Sequence, residues 1–268
     1  FDYGHFGVFP LAIDDDAHNN GAVDWVDLAP QEIFDDIHAR DVDGSSPLII
    51  ANHPRDVPAL LGFFVAAAYD SSTGVAGNPD FWSDDFDLIE VFNDSSFDEN
   101  EELVNDWFAF LNRGQRKFAV GSSDTHQVYD IPLGYPRTCA RVDMDSTSAL
   151  RSTGPTPLRD AMAGGHSVVN GGVHVSATHG SGARPGDVVS NAATSETVRV
   201  MVQAPQWVDV DTLRVYVNGV LIETLALDET TADPLNPVVR FDADVSVPTG
   251  DAPAWVVLVA AGDKDHAP

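Results

Sequence analysis

The chain has 268 residues, enough for one large domain or two smaller ones. Acidic residues outnumber basic ones 42 to 14, giving a formal net charge of −28 with lysine only at Lys117 and Lys264, a balance that excludes long nucleic acids held by phosphate neutralisation. No run of about 18 apolar residues exists, which excludes a membrane-spanning helix, and the single Cys139 excludes an intrachain disulfide framework and a paired-cysteine zinc site.

The sequence opens at Phe1 inside a strand-like run, FDYGHFGVFPL, so an upstream portion is expected. Three segments then share one design: SSPLIIANHPRD, FDLIEVFND and RKFAVGSSDTH each run through a short apolar stretch and end in polar residues able to ligate. Continuous apolar runs of this length are what strands covered on both faces look like. Helical patterns separate them at 56–70 and 98–114. The second has Asp98 placed to cap, acids in its first turn, an apolar stripe at Leu103, Trp107, Phe110 and Leu111, and Gly114 as its stop. A further helix is predicted over 156–165.

Strands alternating with helices imply an α/β unit with a parallel sheet or barrel, whose sites form at the C-terminal strand ends, where all three polar clusters fall. Composition changes near residue 172. The stretch 171–186 is rich in Gly and Ser and reads as connection and turn. After it come period-two segments with an Asn218-Gly219 hairpin signal, which predict an all-β sandwich. The expected organisation is therefore an α/β domain over 1–172 and a β-sandwich accessory domain over 173–268. The lysine-poor, acidic composition and the accessory domain point to an extracellular or periplasmic location.

Candidate chemistry lies in the strand-end clusters. His53 precedes Pro54, whose ring favours an extended conformation at His53. Asp124 and His126 face the same side if the chain stays extended through them. With His5 they offer imidazoles and a carboxylate, a mixture suited to Zn, Mn or Fe. Arg55 and Arg137 could hold an anionic substrate group or form structural ion pairs. His166 reads as a cap, His174 and His179 as surface residues, and His18, His38 and His266 as isolated. No Gly-x-Ser-x-Gly elbow is present, which argues against a serine hydrolase.

In order and separation, NHPRD, IEVFN, VGSSDTH and GYPRT resemble the PHP (polymerase and histidinol phosphatase) superfamily of metal-dependent hydrolases. GHFGVFPL and the trailing β domain are most similar to its CehA/McbA carbaryl hydrolase branch. The resemblance spans about residues 3–172. It implies the C-terminal part of a distorted (β/α)7 barrel holding two or three divalent transition ions (Zn, Mn or Fe) at the strand ends. On this resemblance Asp124 and His126 are the closing ligand pair, and His53 and His5 are further ligands. His53, Asp124 and His126 carry catalysis. Glu90 and Asn93 line the pocket, with ligation by Glu90 as an alternative, and Asn93, Arg55 and Arg137 contact a small-molecule substrate. The remaining ligands, a His-x-His strand among them, would come from an upstream fragment of the same protein that completes the barrel. The implied reaction is hydrolysis of a phosphoester or a carboxylic ester or carbamate. The competing expectation is a catalytically inactive, secreted binding or structural protein on a degenerate barrel of this type.

Overall fold

A computed structural model describes residues 3–56, 61–93, 100–127, 133–143, 146–190 and 193–262. Strand β1 (His5–Phe9) is followed by a long loop and helix α1 (Pro30–Ala39), which starts on Pro30 with the Glu32 carboxylate accepting the Ala29 N–H at 2.9 Å. Strand β2 (Leu48–Asn52), the single helical turn α2 (Phe63–Ala66) and a small hairpin of β3 (Tyr69–Asp70) and β4 (Val75–Ala76) come next. Strand β5 (Leu88–Asn93), helix α3 (Glu101–Asn112) and strand β6 (Phe118–Ser122) complete the first layer.

These strands form a four-stranded sheet in the order β1-β2-β5-β6. Strands β2, β5 and β6 run parallel, which aligns Asn52, Asn93 and Ser122 at one edge. Strand β1 is antiparallel to β2 with His5 opposite Asn52, so its first residue reaches the same edge. Ile49, Ala51, Ile89 and Val91 bury one face against Phe34, Phe63, Phe64, Phe86 and Phe110. Tyr69 stacks between Trp82 at 4.2 Å and Phe110 at 5.5 Å. Burying aromatic side chains of this size dominates the stability of such a core.

The sheet is open, and the (β/α)7 barrel expected from the resemblance is not formed: the described residues hold several small sheets, five α-helices and no closed barrel. Three local causes are visible. Strand β1 pairs antiparallel, which ends the parallel series. The helix predicted over 56–70 is one turn at Phe63–Ala66 within the residues described there. Beyond β6, strands β7 (Arg137–Ala140) and β8 (Ser167–Asn170) pair with each other as an antiparallel ribbon. That ribbon attaches to β6 through the Thr138 hydroxyl, which accepts the Gly121 N–H and donates to the Gly121 carbonyl, both at 2.9 Å, instead of through a ladder.

Between β7 and β8, helix α4 (Thr147–Thr153) is capped by Ser146, and α5 (Thr156–Ala163) covers the other sheet face with Met162 and Ala163 against Leu48, Leu88 and Val120. Helix α3 stops at Gly114 (φ +77°) as read from the sequence, while Asp98 lies outside the described residues.

The C-terminal half is two three-stranded antiparallel sheets, β13-β10-β9 and β12-β11-β14, built from β9 (His174–His179), β10 (Ser195–Gln203), β11 (Thr212–Val217), β12 (Val220–Ala226), β13 (Val239–Pro248) and β14 (Val256–Ala261). Alternate residues of both sheets, such as Val200, Val202, Leu213, Val215 and Val247, meet in a fully buried second core. The stretch expected to be loop thus contains β9, paired with β10 from His174↔Gln203 to His179↔Val198. Its flanking glycines obscured a strand pattern. Asn218 and Gly219, at φ 50° and 81°, make the hairpin turn joining β11 to β12. The two halves meet where Phe108 of α3 packs on Tyr216 and Trp255, with ring centroids 5.2 and 4.9 Å away.

Candidate metal centre

The tight turn at His53–Asp56 builds the centre. The Asp56 N–H donates to the His53 carbonyl at 3.0 Å, and the His53 N–H donates to Glu90 Oε2 at 2.5 Å. Held at both ends, His53 does not take the extended conformation expected before Pro54; its φ is +26°. Such a left-handed conformation costs a non-glycine residue about 1–3 kcal/mol and persists only where its surroundings enforce it. Gly62 closes the loop from behind, since a Cβ there would lie 2.5 Å from the Pro54 carbonyl and 2.6 Å from the Asp56 nitrogen.

Register brings His5 of β1 beside His53. Their rings meet edge to face at 5.0 Å between centroids, with His5 Nδ1 3.1 Å from His53 Nε2. His53 Nδ1 is buried without a hydrogen bond, and Asp56 Oδ2 lies 3.7 Å from it. Burial and then the adjacent His53 ring push the His5 pKa below its ordinary value, against the opposing pull of the Asp124 and Asp56 carboxylates. The His5 imidazole is therefore biased towards the neutral form that binds metal.

Glu90 lies beneath the pair and is 1% exposed. Besides the His53 N–H it accepts the Ser122 hydroxyl and, at 3.0 Å, the Asn93 amide. Burial pushes its carboxyl pKa up, and these hydrogen bonds oppose the rise. Glu90 thus orients His53, and Asn93 orients Glu90. Arg55 also acts by positioning. Its guanidinium is bidentate on the 1%-exposed Asp106 of α3 at 2.8 and 2.9 Å and reaches the Tyr69 carbonyl. It pins the turn carrying His53 and Asp56 to α3.

At the end of β6 the chain turns at Asp124, φ +46°, so the same-side argument for Asp124 and His126 does not apply. Asp124 faces His5 electrostatically, whereas His126 stands 78% exposed with its Nδ1 3.8 Å from Asp124 Oδ1. Arg137 is exposed, with its Nη1 on the Gly134 carbonyl at 2.9 Å. The structure therefore brings His5 and His53 into contact, with Asp56 beside His53 and Glu90 on its backbone N–H, and keeps Asp124 within electrostatic reach of His5; Arg55, Arg137 and the exposed His126 ring do not touch the pair. Asp56 went unnoticed in the sequence, although the turn-forming HPRD run could have indicated that it folds back over His53.

Two imidazole nitrogens about 2.0–2.1 Å from one tetrahedral ion lie roughly 3.4 Å apart, close to the 3.1 Å observed. The residues that could hold a divalent ion are His5 and His53 through these two nitrogens, with the Asp56 and Asp124 carboxylates near the pair. Among the described residues no three His, Cys, Asp or Glu side chains are grouped so as to hold a metal ion. No protein-family model, curated protein or solved structure matches the chain.

Two of the remaining histidines are not the surface residues expected. His179 donates from Nε2 to Glu196 at 2.8 Å with its side chain 18% exposed, and burial and then Arg137 depress the His174 pKa. His38 lies between Asp85 and Asp87 at 3.3 and 3.5 Å.

Proposed function

We propose that this chain is a metal-dependent hydrolase acting on small phosphoesters, carboxylic esters or carbamates, centred on His5 and His53. The observation that carries this reading is the facing pair of ring nitrogens at 3.1 Å, with Asp56 and Asp124 disposed around it. The likeness of NHPRD and VGSSDTH to PHP hydrolases supports the chemistry and leaves the open sheet as this chain's own architecture.

His5 and His53 would hold the ion, with Asp124 or Asp56 as carboxylate donor. When bound, a divalent ion supplies Lewis acidity towards substrate and water. The chain's own groups do the rest. Glu90 fixes the orientation of the His53 backbone, and the Arg55–Asp106 pair fixes the turn. Asp124, 42% exposed at the mouth of the site, accepts a proton from an attacking water, and His126 beside it passes that proton to solvent. A second reading, a secreted binding protein without catalysis, is favoured by the solvent position of His126.

Hydrolysis of bis(p-nitrophenyl) phosphate and p-nitrophenyl acetate with added Zn or Mn decides between them. The hydrolase reading expects a metal-dependent rate that falls about 10²-fold in Asp124→Ala. Equal rates in the two proteins, with or without metal, would leave the binding reading.

A further inference from the structure

At one end of the β-sandwich three hydrophobic side chains stand in solvent: Trp207 at 82% exposure, Leu235 at 94% and Val238 at 40%. The local backbone presents them. Trp207 occupies the third position of a turn closed by the Val208 N–H on the Pro205 carbonyl at 3.0 Å. Leu235 and Val238 occupy the third positions of two consecutive turns, closed by the Asn236 N–H on the Asp233 carbonyl and the Val239 N–H on the Asn236 carbonyl, at 3.1 and 2.9 Å. Pro234 and Pro237 sit second in those turns, where their fixed φ pre-forms the bend. The Asp233 carboxylate also accepts the Leu235 N–H at 2.8 Å.

The two loops are tied together. Ala204 donates to the Val238 carbonyl at 2.9 Å, and the Arg240 guanidinium reaches back to the carbonyls of Pro205 and Val208 at 2.7 and 3.2 Å. A rigid surface with its ordering entropy already lost on folding is what a binding site requires.

Charge excludes anionic ligands. Arg240 is the one cationic residue of the two loops (204–210 and 228–240), and it is turned inward onto backbone carbonyls. Polar residues near Trp207, Leu235 and Val238 in sequence include Gln206, Asp233 and Asn236, amides and a carboxylate, on a chain of net charge −28. Phosphate, sulfate and anionic lipid are repelled. A neutral polyhydroxylated ring is matched: its C–H face lies on the indole, and its hydroxyls donate to the surrounding acceptors.

We propose that the Trp207–Leu235 tip is a binding site for a neutral glycan, independent of the chemistry assigned to His5 and His53. The test is affinity electrophoresis of the full chain through gels containing laminarin, soluble xylan or hydroxyethylcellulose, with Trp207→Ala and Trp207→Phe run beside it. Thermal melting confirms that the variants fold, since Trp207 is outside both cores. The proposal expects retardation by at least one neutral polysaccharide, weakened roughly tenfold or more in Trp207→Ala and partly kept in Trp207→Phe. Retardation by none of the three, or retardation that Trp207→Ala leaves unchanged, overturns it. Binding to phosphatidylcholine vesicles without glycan binding would also overturn it and assign the tip to a membrane surface.

Discussion

Glu90 Oε2 accepts the backbone N–H of His53 at 2.5 Å and so holds a non-glycine residue at φ +26° directly beneath the facing rings of His5 and His53. The carboxylate also takes a hydroxyl from Ser122 and an amide from Asn93. Glu90→Ala would take the shared acceptor from three donors, the His53 and Asn93 nitrogens and the Ser122 hydroxyl. We expect a loss of about 2–4 kcal/mol in urea unfolding, larger than a surface substitution gives. Metal affinity should fall with it, because His53 is released from its strained turn.

The Arg55–Asp106 pair is buried on the Asp106 side and anchors the metal-site turn to α3. Removing one partner strands a charge. Asp106→Ala is expected to destabilise the fold by about 3–5 kcal/mol, while the double change Arg55→Met, Asp106→Leu should be much milder. A double-mutant cycle in denaturant measures the difference. A substrate-binding Arg55 would instead change KM with stability intact.

Glu196 offers a pH test well away from the candidate centre. Its hydrogen bonds from His179 and then from the Ala193 N–H hold the carboxyl below its usual pKa of 4.5. A depressed carboxylate contributes stability that is fully present above the unfolded-state value and is lost as pH falls through the folded-state value. The melting temperature of the native chain should therefore exceed that of Glu196→Gln at pH 7, and the gap should close as pH falls below about 4.

The contact between the two halves turns on Asn112, whose amide donates to the Asn218 carbonyl at 3.2 Å and accepts from the Trp255 indole at 3.0 Å. Asn112→Ala is expected to cost about 1–2 kcal/mol. It should also red-shift the Trp255 fluorescence by admitting water to the indole, whereas a structurally unimportant contact would leave the spectrum unchanged.

Much of the plan was legible because it rested on local pattern. The apolar runs ending at Asn52, Asn93 and Ser122 read as parallel strands, Gly114 as a helix stop and Asn218-Gly219 as a hairpin turn, and each is set by chemistry within a few residues. What failed depended on distant partners. Pro54 favours an extended His53, but Glu90, 37 positions on, captures its N–H and turns the chain. Asp124 turns as well, which sends His126 to solvent. Arg55 looks like a rim cation until its distant partner Asp106 is known. Strand β1 runs antiparallel for reasons of pairing that its own residues do not encode, and the barrel expectation failed there.

Equilibrium Zn or Mn binding, followed by calorimetry and elemental analysis on the chain and on His5→Ala and His53→Ala, tests the central claim most directly. One tightly held ion per chain is predicted, lost in both variants and weakened in Asp124→Ala, with Arg137→Ala unchanged. Less than one transition ion per native chain, or undiminished binding in His5→Ala and His53→Ala, would contradict it.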